Sequence, residues 1–250
     1  MSKFFNHVSL ILILSLALNI SLQAGANPKK NTGIANDNNR DSRNKARKAL
    51  IAEEASELYD QIELKDAGLS KKAFQYAFTG YTYLLSHHLL SNENIITVCD
   101  FSQSSKNKRL YIIDLEEKSI LINTYVAHGR KTGGEFARSF SNRLNSHKSS
   151  LGFYITEQEY LGENGISLKI HGLERGFNDK ADRRGIVIHG SDYVGADFLN
   201  WNKFNGRSFG CPAVPSNEIE EIIQTIKDGS CLFIYYPTKK YLIKSKILNS

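Results

Sequence analysis

The chain has only three cysteines in 250 residues, and none before Cys99. A lipidation site at a bacterial export signal needs a cysteine there, so that form of anchoring is excluded. No histidine follows Cys211: all seven, at 7, 87, 88, 128, 147, 171 and 189, precede it. Papain-like cysteine peptidases place the nucleophile first and its histidine later, so they cannot be threaded onto this order. No arginine follows Cys211 either, and the sequence holds no internal repeat and no nucleic-acid-binding module. Acidic residues fall short of basic ones, 26 against 32, for a formal charge of +6. Such a surplus favours anionic surroundings such as nucleic acid, a lipid headgroup surface or an acidic wall polymer; it also suits a soluble surface rich in lysine. Hydrophobic content of 41% and charged content of 23% are ordinary for a globular chain long enough for one sizeable domain plus accessory helices.

A long apolar run is also missing. Lys3 precedes the longest one, residues 8–22 (VSLILILSLALNISL), which is too short and too quickly ended to span a bilayer comfortably. Small residues follow, and Ala24-Gly25-Ala26 fits an A-x-A cleavage site. Residues 1–26 therefore read as a cleaved secretory signal, with an uncleaved membrane anchor as the alternative. The mature protein is expected to be exported, with no stable membrane anchor after cleavage. Three thiols in an oxidising compartment cannot all pair within one chain. Cys99 and Cys231 sit in apolar, strand-like runs, as buried small hydrophobes or as a disulfide if those strands are neighbours. Cys211 differs, with Gly210 before it and Pro212 after it.

The polar tract from residue 27, Asn/Lys/Arg-rich as far as 48, reads as a flexible spacer over 27–40. Helical periodicity begins near Asp41. Leu50, Ile51, Ala55, Leu58 and Ile62 share one face, and Gly68 supplies a stop. Ser70 caps a second helix with Phe74, Ala77, Phe78, Tyr81 and Leu85 on its apolar side. Residues 41–90 thus form a helical N-terminal segment, expected to pack on the domain at 91–250. Strands are expected at 95–101, 109–115, 119–127, 151–160, 165–172, 185–189 and 230–236. Glu116-Glu117-Lys118 turns one hairpin and Gly162-Glu163-Asn164-Gly165 another. One late amphipathic helix, 216–227, is capped by Ser216 or Asn217 and ended by Gly229. The fold class is mainly β, a β-sandwich or partly closed barrel with N-terminal helices and one late helix.

The chemistry concentrates in residues 185–215, GIVIHGSDYVGADFLNWNKFNGRSFGCPAVP. A β-branched run ends in His189 and Gly190, which mounts an imidazole at a strand end. Cys211 follows in a glycine-bounded turn. A thiol needs a base to become a good nucleophile near neutral pH, and imidazole is the usual one. Glycines beside the thiol allow main-chain N–H groups to approach a developing oxyanion. Taken singly, a cysteine near glycine is more often structural and a histidine at a strand end more often a hydrogen-bonded residue. A zinc site from His171, His189 and Cys211 has suitable ligand types but matches no metal spacing. Tyr193, Trp201 and Phe209 read as pocket walls, and the lysines at 239, 240, 244 and 246 as a solvated basic tail.

Taken together, His-Gly followed by Ser-x-Gly-Cys in a strand-rich, exported domain resembles the L,D-transpeptidase catalytic domain family of bacterial cell-wall enzymes. The resemblance runs from about 109 to 236. It is closest to the branch with Pro-Ala after the cysteine, here Ser208-Phe209-Gly210-Cys211-Pro212-Ala213-Val214-Pro215. Val126-Ala127-His128-Gly129, Phe140-Ser141-Asn142, Ser149-Ser150-Leu151-Gly152 and Gly172-Leu173-Glu174 with Asn178 are also similar to that branch. Two positions depart from the broader family: Ala213 stands where an Arg is usual, and Phe209 where His is common. Arg207 is the candidate for the missing positive charge.

The resemblance implies acyl transfer on peptidoglycan stem peptides in the periplasm or cell wall of a bacterium. Cys211 would be the nucleophile and His189 its base, the Gly190 carbonyl would orient the imidazole, and the N–H groups of Gly210 and Cys211 would hold the oxyanion. Ser208, Arg207, His171 and Phe209 would line the substrate site. No metal or organic cofactor and no nucleic acid is implied, and carbapenems would acylate the thiol. An L,D-carboxypeptidase or wall-attachment hydrolase on the same scaffold, and a non-catalytic wall-binding protein, are the alternatives. A sortase also places His before Cys, but it needs an Arg after the cysteine.

Overall fold

The computed structural model describes residues 34–163 and 165–250. The expected signal and the first part of the expected spacer lie outside the described residues. The chain divides into two units, Met1–Asp41 and Ser42–Ser250, and every element after the first helix belongs to the second. Helix α1 runs Ile34–Gln61, so the helix starts within the stretch expected to be a spacer. Its buried face consists of Ala55 and Tyr59, with Ile51 and Leu58 partly buried and Ile62 just beyond the helix. Leu50, expected on that face, is 65% exposed. Gly68, at φ +89°, makes the turn into α2, Lys71–Ser86. Ser70 Oγ accepts the Ala73 N–H at 3.1 Å, which is the expected N-cap.

Helix α2 buries Phe74, Ala77, Phe78, Tyr81 and Leu84 against strands β1 (Ile95–Asp100) and β8 (Cys231–Tyr235). Its Gly80 is required by that contact, because a Cβ there would lie 1.9 Å from a Phe153 ring carbon. The helices and the sheet therefore share one hydrophobic core.

Between β1 and β8 the chain forms β2 (Leu110–Asp114), β3 (Ser119–Thr124), β4 (Gly152–Gly162), β5 (Gly165–Gly172), β6 (Val187–Ser191) and β7 (Ala213–Pro215). The sheet order is β3-β2-β1-β8-β4-β5-β6-β7. β1–β8 and β6–β7 are parallel pairs; the other neighbours are antiparallel. The chain beyond β3 then reaches the opposite edge. Ala127 donates to the Ala213 carbonyl at 2.7 Å and accepts from Ala213 N–H at 3.4 Å. That bridge joins the two edges, giving the expected mainly β, partly closed barrel and leaving little free sheet edge near residues 205–213.

The late region holds more helix than the pattern of apolar residues indicated: α3 (Ala196–Trp201), α4 (Ile219–Ile226), α5 (Lys239–Lys244) and α6 (Lys246–Asn249). Helix α4 is the amphipathic one, burying Ile219, Ile222, Ile223 and Ile226 at about 1.5–3 kcal/mol each. Its N-cap is Glu218 without a side-chain bond, not Ser216 or Asn217, because the Ser216 hydroxyl donates to Asp192 instead. The short α5 and α6 end in a buried clasp: Glu174 accepts from Tyr241 Oη at 2.6 Å, from Ser245 Oγ and from Phe153 N–H at 2.9 Å.

Cys99 and Cys231 are both buried on neighbouring strands, yet they are free thiols. Cys231 pairs with Ile96 and Cys99 with Ile234. An offset of three residues separates them by about 10 Å along the sheet and points them to opposite faces, which rules out the disulfide.

Candidate functional site

His189 is held by sheet pairing on both sides: Ser167 of β5 faces it on one edge and Ala213 of β7 on the other. Its N–H reaches the Pro212 carbonyl at 3.4 Å. The ring Nδ1 lies 2.9 Å from the Gly190 carbonyl oxygen. A carbonyl can only accept, so Nδ1 carries the proton and Nε2 keeps its lone pair. Cys211 precedes Ala213, the register partner of His189, by two residues. Strand geometry puts the Cα atoms of Cys211 and His189 on the order of 8 Å apart, within reach of their side chains.

The loop that carries Cys211 is closed by its own polar groups. Asn205, fully buried, accepts from Gly195 N–H at 2.8 Å and donates to the Ser105 carbonyl. Ser208 N–H donates to the His128 carbonyl at 3.1 Å, and the Ser208 carbonyl accepts from Arg130 N–H at 2.7 Å. Ser208 Oγ donates to the Cys211 carbonyl at 2.6 Å and accepts from Gly210 N–H at 3.0 Å. Gly210 has φ +135°, and a Cβ on it would meet the Lys148 carbonyl at 2.9 Å, so no other residue suits this bend. Ser149 Oγ donates to the Gly210 carbonyl at 3.1 Å and accepts from Gly129 N–H at 3.0 Å.

The Cys211 thiol donates to the Gly185 carbonyl at 3.6 Å. Burial raises its pKa above the ordinary thiol value; a main-chain bond from Val187 and the positive field of Arg184 pull the other way without prevailing. The resting side chain is therefore a thiol, which makes an adjacent base necessary for nucleophilic chemistry. Arg184 is fixed by donation to the Ser141 carbonyl at 2.9 Å, to Ser150 Oγ and to the Lys148 carbonyl.

A buried Arg109 braces the strand behind the loop. Its guanidinium donates to the Val126 carbonyl at 3.0 and 2.9 Å, to the Gln103 carbonyl at 2.9 Å, and lies 2.8 Å from His128 Nδ1. Burial first, then the Arg109 charge, push the His128 pKa down to about 3, so its neutral ring accepts that bond.

Cys211 and Gly210 lie on the loop that leads into β7, and His189 and Gly190 on the neighbouring strand β6. The remaining expected substrate residues lie differently. Arg207 donates to the Gly133 carbonyl at 3.2 Å and sits 5.8 Å from the Phe204 ring; the cation whose field reaches the thiol is Arg184. His171 is exposed on β5 and paired with Asp182 at 2.8 Å, four residues along the strand from the partner of His189, so a zinc set with His189 and Cys211 is not assembled. The Ser208 hydroxyl is engaged inside the loop. Phe209 is 61% exposed, with the Arg130 guanidinium 4.4 Å from its ring centre and His147 edge-on at 4.8 Å. Trp201 projects almost wholly into solvent, and Tyr193 packs against Gly206. Arg184 and Arg109 escaped the sequence reading; the only local cue to Arg184 was a basic pair directly before Gly185 and β6.

The family model for the L,D-transpeptidase catalytic domain matches residues 65–235. The chain belongs to this family. The matched region begins before α2, in keeping with the single core that α2 shares with the sheet. Among curated proteins no sequence match was found. Similar solved structures include an L,D-transpeptidase from Mycobacterium smegmatis, at 8% identity and TM-score 0.36, covering 57% of this chain and 59% of that one. The helical cell shape determining protein Pgp2 from Campylobacter jejuni is similar at 15% identity and TM-score 0.37, over 68% of this chain and 62% of that one. An L,D-transpeptidase from Stackebrandtia nassauensis gives 10% identity and TM-score 0.35, over 73% and 76%. This L,D-transpeptidase-family chain thus spans about three fifths of the length of the first of these structures.

Proposed function

We propose that the protein is an exported L,D-transpeptidase that acts on peptidoglycan stem peptides through an acyl-enzyme on Cys211. The observation that carries this reading is the His189 Nδ1 contact with the Gly190 carbonyl, one ladder away from the cysteine loop. That contact leaves Nε2 as the basic nitrogen on a rigid strand. Family membership supports the reaction class.

In this mechanism Nε2 of His189 takes the thiol proton as Sγ attacks the carbonyl of the third stem residue at its L-centre. Negative charge develops on the carbonyl oxygen near the Cys211 N–H. The Gly210 N–H, engaged by Ser208 Oγ at rest, is the second donor if that hydroxyl turns away. One such donor is worth about 10²–10³ in rate. The imidazolium returns its proton to the leaving amine of the terminal D-residue, whose C–N bond breaks to give the thioester. An amine of a second stem then attacks the thioester to form a 3→3 cross-link, and the thiolate leaves and is reprotonated through His189. Arg184 favours the thiolate electrostatically. Among the described residues no helix is long and apolar enough to cross a membrane; export rests on the apolar N-terminal run and its A-x-A site.

Incubation of the purified protein with disaccharide-tetrapeptide, with and without an acceptor amine, tests the reading by mass analysis of the products. Loss of the terminal D-residue with transfer to the amine is expected; water as the dominant acceptor would make the enzyme an L,D-carboxypeptidase. A carbapenem should add one covalent equivalent to the wild type and none to Cys211→Ala. An equal adduct on both proteins would refute the assigned nucleophile.

A further inference from the structure

A groove of about 890 Å³ lies beside the Cys211 loop, walled by the segment between β3 and β4, the turn after β5 and the start of α5. Six of its lining side chains are cationic: Arg138, Arg143, Lys148, Arg175, Lys180 and Lys240. Asp179 is its only acid, and Asp179 Oδ1 is already occupied by Gly176 N–H at 2.6 Å and Asn142 Nδ2 at 2.7 Å. Six positive charges less one leave a surplus of five, against +6 for the whole chain. Among the described residues none of the six cations forms an ion pair with a carboxylate. Lys148 Nζ donates to Ser139 Oγ at 2.6 Å, but like charges gathered on one concave wall without ion-pair partners repel one another, a cost that a bound polyanion removes. The partly buried rings of Phe140 and Phe177 add an apolar surface beside the charges. The volume exceeds what a single small anion needs and suits a polymer segment.

We propose that this groove is a second, non-catalytic binding site for uncleaved peptidoglycan, recognised through the free carboxylates of its stem peptides. The choice of polymer rests on the transpeptidase reading given above. The groove adjoins the reaction site through Arg184, which donates to the Ser141 and Lys148 carbonyls of the groove wall while its charge acts on the thiol. Binding there would hold the protein on the wall polymer while short stems enter at Cys211.

Co-sedimentation with purified sacculi tests this without requiring turnover. Arg138→Ser, Arg175→Ser and Lys240→Ser combined should weaken binding by about 10-fold or more at low salt. High salt should weaken the wild type similarly. The double variant Arg138→Lys/Arg175→Lys keeps the charge and should bind like the wild type. Sacculi whose carboxylates have been amidated should bind the wild type as weakly as native sacculi bind the triple variant. All three side chains are exposed, and the single variants Arg138→Ser and Lys240→Ser provide the same readout if the triple variant melts early. Wild-type binding by the triple variant, indifference to amidation, or binding to polyphosphate but not to sacculi would each overturn the proposal. If Cys211 forms no acyl adduct with tetrapeptide yet groove-dependent sedimentation persists, the catalytic reading fails and the groove stands.

Discussion

Acidification should unlock the strand that supports the cysteine loop, and the size of the effect follows from His128. Its imidazole is 1% exposed and held against Arg109 at 2.8 Å, with the main chain of Gly133 and Gly134 on its other side opposing the downward shift. Burial and the Arg109 charge bring its folded pKa to about 3, against 6.5 when free. Between those values the unfolded chain binds a proton that the folded protein refuses, so stability is intact above about 6.5 and falls as pH drops toward 3. The slope is about 1.4 kcal/mol per pH unit, or about 2 kcal/mol between pH 6.5 and 5, and comparison with a variant lacking the ring separates it from carboxylate titration. Urea unfolding at a series of pH values measures it. His128→Asn keeps an acceptor for Arg109 without a titrating ring. The variant should be less stable at neutral pH but lose about 2 kcal/mol less than the wild type over the same interval. Because the His128 carbonyl holds Ser208 N–H, Cys211 labelling should become faster or heterogeneous before global unfolding. Parallel pH dependence in the two proteins would refute a neutral, buried His128.

Arg184→Met removes the one cation that draws the Cys211 pKa down, so iodoacetamide labelling near neutral pH should slow by about 3–10-fold, with Arg184→Lys partly restoring it. An unchanged pH profile would show that the guanidinium does not act on the thiol. In the native protein only Cys211 should label readily, because Cys99 and Cys231 are fully buried and burial pushes the Cys99 thiol up to about 12; mass spectrometry showing two fast adducts would contradict this. Gly80→Ala places a Cβ 1.9 Å from the Phe153 ring and should destabilise by about 1–3 kcal/mol in urea titrations, with no shift in the Cys211 labelling profile.

Short-range features were legible in the sequence because the residues that cause them are neighbours. Ser70 caps α2, Lys118 at φ 51° completes the β2–β3 turn, and the alternating runs became β1 to β5 nearly as expected. The His-Gly step and the glycine before Cys211 also encode their local geometry. What stayed hidden depends on partners far along the chain. The Ser216 hydroxyl is drawn to Asp192, 24 residues away, so its suitability as a cap did not decide α4. Arg207 is the cation nearest Cys211 in sequence, but a single 3-10 turn at Asp182–Arg184 brings Arg184 to the thiol once β6 pairs with β7. Arg109 reads as an ordinary strand-end charge until Val126 and His128 fold over it.

The resting thiol and the satisfied loop belong to one arrangement. Ser208, Gly210, Ser149 and the His128 carbonyl hold one another, so the position of Sγ does not depend on an ion pair with His189. Desolvation keeps the sulfur protonated, and a thiol of raised pKa is a stronger nucleophile once it ionises. In the proposed mechanism His189 removes the proton only as the carbonyl arrives, and the Gly190 carbonyl, 2.9 Å from Nδ1, stabilises the imidazolium that results. On this reasoning His189→Ala should reduce acylation far more than it changes the resting thiol pKa. A preformed thiolate–imidazolium pair would do the opposite, with the thiol pKa rising sharply in the variant. Thiol titration by ultraviolet absorbance, set beside single-turnover acylation by a carbapenem, separates the two. If His189→Ala shifts the thiol pKa upward by as much as it slows acylation, proton transfer precedes substrate arrival and the resting thiol is not the state that meets the substrate.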